Sequence, residues 1–221
     1  MNIQKIGLAL IFSAFSVSCF SQSVDSVKIE KKSSNLKLSY NSSLIYPGAR
    51  FGAEFPIKTT YKAKFKKSGK EKDFVKDRFI SANISWYHHP YFHDNLYLTA
   101  GWTMRRTKST GFLTEFSPEI GLSRTFLGGT TYKVDNNGNV TIEKFAGYYY
   151  AFVSIGGGVG YDFSNTKKTE LKPFIVFCKF NILSMFPYNS TIYLRPAMEI
   201  GLIYKPSNFL PLKVKSKRIK K

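Results

Sequence analysis

"NLYLTAGWTMRR", residues 95–106, decides the fold class of this chain. Leu96, Leu98, Ala100, Trp102 and Met104 alternate with Tyr97, Thr99, Gly101, Thr103 and Arg105. Neighbouring side chains on an extended strand point to opposite faces, so this period of two predicts a strand with one apolar face and one polar or small face. The same pattern continues on both sides. In "RFISANISWYH" (78–88), Ile80, Ala82, Ile84 and Trp86 alternate with Ser81, Asn83 and Ser85. In "STIYLRPAMEIGLIY" (190–204), Ile192, Leu194, Pro196, Met198, Ile200 and Leu202 alternate with Tyr193, Arg195, Ala197, Glu199 and Gly201. Helical periodicity is scarce.

Eight segments carry the alternation, near 35–46, 49–60, 76–88, 95–106, 112–126, 145–162, 170–185 and 191–204. Between them lie turn-forming runs such as "YPGA", "KSGKEKD", "VDNNGN" and "SNTKKT". Most segments reach the 9–11 residues or so that a tilted strand needs to cross a bilayer. Eight amphipathic strands can close as a soluble barrel or sandwich with apolar faces inward, or as a membrane barrel with apolar faces towards lipid. The polar faces favour the second. They carry Arg50, Glu54, Arg105, Glu115, Glu119, Asp162, Lys179, Arg195 and Glu199, diluted with Gly, Ser, Thr and Asn. Gly156, Gly158 and Gly160 share one face, as a crowded lumen requires, and most lysines lie in turns and tails. The expected fold is all-β, an eight-stranded antiparallel up-and-down transmembrane β-barrel. "EIGLIY" (199–204) is similar to the C-terminal signal read by barrel-assembly machinery, although Pro206 stands where that signal prefers an apolar residue.

The N-terminus sets the compartment. Lys5, the apolar run Ile6–Val17 and the small residues after it form a secretory signal peptide. Cleavage is expected after Ser21; lipidation at Cys19 is the alternative, although the leucine expected three positions upstream is missing. The expected organisation is therefore 1–21 signal peptide, 22–34 N-terminal extension, 35–204 barrel and 205–221 basic tail. The tail is expected to be mobile, since Pro206 and Pro211 discourage continued pairing. After Ser21 one cysteine remains, Cys178, so no intrachain disulfide is expected. The formal charge of +19 points to anionic partners, and export excludes nucleic acid. Outer-membrane lipid or lipopolysaccharide, barrel-assembly machinery during biogenesis, and an acidic envelope partner for the tail are the expected partners. Aromatics at 16% suit a chain that meets lipid and its interfaces.

The chain also resembles the small, mostly uncharacterised outer-membrane β-barrel proteins of Bacteroidota-type bacteria. The resemblance is carried by the "FSQ" end of the signal, "YHHPYFH" (87–93), "RRTKSTGF" (105–112), "GVGYDF" (158–163) and "PYNS" (187–190). It implies an outer-membrane location and a barrel. It implies no activity, so no catalytic residue carries over.

"SWYHHPYFHDN" (85–95) holds all three histidines. His88, His89 and His93, with Asp94 nearby, form a candidate zinc or copper set, since imidazole suits both metals. Against this stands an interfacial girdle of Trp86, Tyr87, Tyr91, Phe92 and Tyr97 in which histidine serves as a small polar aromatic. A lipid-modifying enzyme using His88 or His93 needs a nucleophile. Ser85 is offset by three residues from His88 and so points to the opposite face. Glu115 and Glu119 stand roughly 13 Å apart along a strand, too far for a usual glycosidase pair. They are expected to meet Arg105 or Arg195 instead. Arg50, Glu54, Arg105, Glu115, Glu119, Lys179, Arg195 and Glu199 are expected to form a paired lumen network. No cofactor is expected. A non-enzymatic structural or interaction protein is the leading reading, and a small pore is a third.

Overall fold

The computed structural model describes residues 24–42, 46–65, 71–90, 92–188 and 191–220. The expected signal peptide, Cys19 and Tyr91 lie outside the described residues. Twelve strands run in chain order: β1 (Val24–Lys32), β2 (Asn35–Ser42), β3 (Gly48–Phe65), β4 (Glu71–His89), β5 (His93–Lys108), β6 (Phe112–Leu127), β7 (Tyr132–Val134), β8 (Val140–Ile142), β9 (Tyr149–Asp162), β10 (Phe174–Tyr188), β11 (Thr191–Tyr204) and β12 (Leu212–Lys220). Two short 3-10 turns, Phe163–Asn165 and Thr169–Leu171, link β9 to β10. Among the described residues no helix is long and apolar enough to cross a membrane.

The pairings close a ring. β2 pairs with β3, β3 with β4, β4 with β5, β5 with β6, β6 with β9, β9 with β10, β10 with β11, and β11 returns to β2, every pair antiparallel. Closure gives each of these strands two hydrogen-bonded neighbours, which removes the open edge that a flat sheet would present. One end of the ring carries the turn before β3, the β4–β5 turn, the long connection from β6 to β9 and the β10–β11 turn. This end is called the mouth below. Within the long connection, β7 and β8 form their own hairpin. Asp135 turns it by accepting hydrogen bonds from the backbone N–H groups of Asn137 and Asn139.

The inside of the ring is polar and the outside apolar. One outward residue from each ring strand makes the point: Leu38, Phe51, Ile84, Leu98, Ile120, Val153, Ile182 and Leu194 are between 43% and 65% exposed. Their neighbours Lys37, Arg50, Ser85, Tyr97, Glu119, Ser154, Asn181 and Arg195 are at most 4% exposed. Trp86 and Trp102 also face outward, towards opposite ends of this band.

Glycine makes the narrow interior possible. A Cβ on Gly156 would collide with the carboxamide of Asn181, and one on Gly101 would stand 2.6 Å from the Cγ of Glu119. Neither neighbour is free to move, because Asn181 and Glu119 are both held in the lumen by hydrogen bonds.

The basic tail differs from its expectation. β11 ends at Tyr204, just before Pro206, but the chain then turns back and after Pro211 forms β12, which pairs antiparallel with β1 and parallel with β3 at Lys58–Ala63. The N-terminal extension and the basic tail expected to flank the barrel therefore pair with each other. Val214 and Ser216 share a buried face in "LKVKSKRIK", and Ile219 is buried near its end, so the strand is packed despite its charge. Around the turn, the Ser34 N–H donates to the Phe209 carbonyl at 2.8 Å, and the Ser33 hydroxyl accepts from the Phe209 N–H at 2.6 Å. The Lys-rich connection after β3 is a continuation of the β3–β4 hairpin, paired as far as Phe65 and Glu71.

Truncation after Ser207 removes β12 alone. Amide hydrogen exchange should then rise at 28–32 and 58–63, with 194–202 still protected by β10 and β2. Unchanged exchange at 58–63 would contradict the pairing.

Candidate functional site: the charged lumen and its mouth

Nine ionisable side chains are buried inside the ring. Lys37, Arg50, Arg105, Lys179 and Arg195 face Glu54, Glu115, Glu119 and Glu199, so among the described residues the interior holds one more cation than carboxylates. A buried charge is tolerated when a partner and hydrogen bonds replace its water. Arg105 donates through Nη2 to Glu54 at 2.6 Å and to Glu115 at 2.7 Å, and its Nε reaches the same Glu115 oxygen at 3.0 Å. Asn35 completes this end by donating to Glu54 at 3.0 Å. Arg50 donates to Glu119 and to the Thr99 hydroxyl.

Glu199 is the hub. Lys37, Lys179 and Arg50 approach its carboxylate to 3.3, 3.5 and 3.7 Å. The Ser39 hydroxyl and the Asn181 carboxamide donate to it at 2.7 and 3.3 Å. These groups come from β2, β3, β10 and β11, so one carboxylate ties four strands together. Lys179 also reaches Glu115 and Glu119, at 3.6 and 3.9 Å.

All eight residues expected in the lumen network lie in the ring's interior, and seven of them pair there. Two details differ. Glu119 takes Arg50 as its partner, not Arg105 or Arg195. Arg195 has no carboxylate partner among the described residues; its guanidinium stacks on the Tyr87 ring with Cζ 3.6 Å from the centroid and hydrogen-bonds the Tyr97 hydroxyl. Lys37 was missed. Its signal was its parity with Asn35, Ser39 and Asn41, all on the buried face of β2.

Apolar layers close the lumen above and below the ionic one. Leu113, Ile175, Phe177 and Ile203 pack at the end that carries the chain termini. Tyr87, Tyr97, Phe152, Leu183, Met185 and Ala197 pack towards the mouth. Tyr87 and Tyr97 were expected in an outer girdle. Their parity puts them inside, whereas Trp86 and Phe92 are exposed.

The three histidines do not converge. His88 turns outward, where its Nδ1 lies 2.8 Å from Asp94 and its ring stacks near Trp86. His89 and His93 turn inward: His89 stacks on Tyr46 at 3.9 Å, and His93 Nε2 lies 3.2 Å from the Tyr87 hydroxyl. Adjacent residues on a strand must split in this way. Among the described residues no group of three or more His, Cys, Asp or Glu is placed to hold a metal. Ser85 is buried while His88 points outward, and no serine or threonine hydroxyl among the described residues hydrogen-bonds a histidine. His93 is the first residue of β5, at the rim beside Tyr87.

No family model matches this sequence, and no curated protein matches it. Among solved structures, the crystal structure of Neisserial surface protein A is similar, at 11% identity with a TM-score of 0.38, over 82% of this chain and 100% of that one.

Removing one partner of a buried ion pair costs about 3–5 kcal/mol. Glu199→Gln leaves three cations around a neutral group and should lower the urea midpoint in detergent micelles well below that of the parent. Glu143→Gln changes an exposed loop residue and should leave the midpoint unmoved. Equal shifts would contradict the hub.

Proposed function

We propose that this chain is an eight-stranded transmembrane β-barrel of the bacterial outer membrane, acting through its loops and rims as a non-enzymatic structural or interaction protein. One observation carries the reading: the ring is inverted, with charges buried in its interior and aliphatic and aromatic side chains around its outside. In water such an outer surface would far exceed the few hundred Å² of contiguous apolar patch that monomers usually expose. In a bilayer it is the favourable arrangement, and a closed ring leaves no backbone group unpaired in hydrocarbon.

The filled lumen argues against the small pore. Eight strands leave room only for side chains, and here ion pairs and two apolar layers occupy that space. A lipid-modifying enzyme built on His88 or His93 has less support, because neither meets a serine or threonine nucleophile. An expected signal peptide would leave the chain termini in the periplasm and the mouth at the cell exterior. The basic strand pair of β1 and β12, with Lys28, Lys31, Lys213, Lys215 and Arg218, then faces the inner leaflet, suited to anionic head groups or an acidic envelope partner. Lipopolysaccharide would contact the outer half, and barrel-assembly machinery would fold the chain into the membrane.

Unboiled protein should migrate faster than boiled protein on SDS gels, and the native chain should sediment with outer-membrane vesicles. Planar bilayers containing it should show no steady conductance. Release into the soluble periplasmic fraction would contradict the membrane assignment, and stable conductance steps would favour the pore.

A further inference from the structure

The excess cation of the lumen stands beneath a cup at the mouth. A cavity of about 250 Å³ opens there, walled by Tyr46, Tyr148, Tyr150, His89 and His93, with Arg195 at its floor. Arg195 is 4% exposed, and its Nε and Nη1 have no hydrogen-bond partner among the described residues. No Asp or Glu lines the cavity. A buried guanidinium normally has an anion beside it, because desolvation without a counter-charge is unfavourable. Every other lumen cation has at least one carboxylate within 4 Å.

We propose that this cup is a binding site for a small aromatic monocarboxylate, whose carboxylate meets Arg195 while its ring packs against the tyrosines. The chemistry of the walls selects this class. One fixed positive charge neutralises one negative charge. A dianion such as phosphate would bring a second charge into a largely aromatic cup whose described lining offers no second Lys or Arg to balance it. A cation would meet Arg195 directly. The rings of Tyr46, Tyr148 and Tyr150 offer faces and edges to a flat apolar body, and Leu127 and Met185 extend the apolar lining. The volume lies below the range usual for drug-sized ligands, which sets the size at a single-ring acid. The site goes beyond the proposed structural role. It requires only that the ring be folded, and not that the membrane assignment hold.

The probe is phenylacetate, titrated calorimetrically into the full chain folded in detergent micelles, with neutral phenylacetamide as its control. Saturable binding of phenylacetate is expected, with the amide weaker by about tenfold or more, because a charge-assisted bond to guanidinium is lost. Arg195→Gln should abolish the preference, and Arg195→Lys should restore part of it. The mobility of unboiled protein on gels reports whether each variant has folded. Should Arg195→Gln fail to fold, Tyr148→Ala decides the matter, since this residue precedes β9, its side chain is exposed, and only its backbone carbonyl bonds to β6. It should weaken phenylacetate several-fold. Equal binding of acid and amide overturns the proposal. So does undiminished acid binding by folded Arg195→Gln or Tyr148→Ala, or the absence of any binding to the parent.

Discussion

The interior depends on one carboxylate. Glu199 is fully buried, and three cations and two neutral donors from three other strands converge on it. A charge buried in so narrow an interior is cut off from bulk water, and an anion at a fixed place offsets that loss. Glu199 supplies that place for Lys37, Lys179 and Arg50 together. The strand register follows from it: a slip of one residue on β11 would turn Glu199 outward and Met198 or Ile200 inward. The network therefore does more than add stability, because it distinguishes the native register from its neighbours.

The rest of the architecture answers the same constraint. A lumen packed with long charged side chains leaves room for little else, which is why Gly101 and Gly156 stand where a Cβ would strike Glu119 or Asn181. The apolar residues displaced from the interior line the outside. Charge balance then fails by one cation, and the failure falls at the mouth, beneath aromatic walls. The stabilising network and the proposed ligand site are in this sense parts of one ledger of buried charge.

Much of this was legible in the sequence because a strand has a period of two. Parity alone placed Arg50, Glu54, Arg105, Glu115, Glu119, Lys179, Arg195 and Glu199 on the polar faces, and each is buried. Three things were not legible. Lys37 obeys the same parity, but most lysines were expected in turns and tails, and that expectation concealed it. The pairing of charges depends on which strands face each other across the lumen, so Glu119 meeting Arg50 could not be read from spacing along β6. β12 was read as a mobile tail because Pro206 and Pro211 precede it and lysine dominates it, yet Val214, Ser216 and Ile219 are buried and its backbone pairs with β1 and β3. The histidine turn failed as a metal set for the reason that the strands succeeded: His88 and His89 are neighbours, and neighbours part.

Both tryptophans face outward, Trp86 near the mouth and Trp102 towards the opposite end, and the sequence contains no others. Their fluorescence therefore reads the inverted ring directly. Reconstituted into vesicles of brominated phosphatidylcholine, the protein should lose most of its tryptophan emission relative to vesicles without bromine. Quenching should be stronger for bromines near the head groups than for bromines near the bilayer centre. Emission unchanged by bromine at every depth would mean that the apolar face does not meet lipid, and the transmembrane barrel would have to be abandoned.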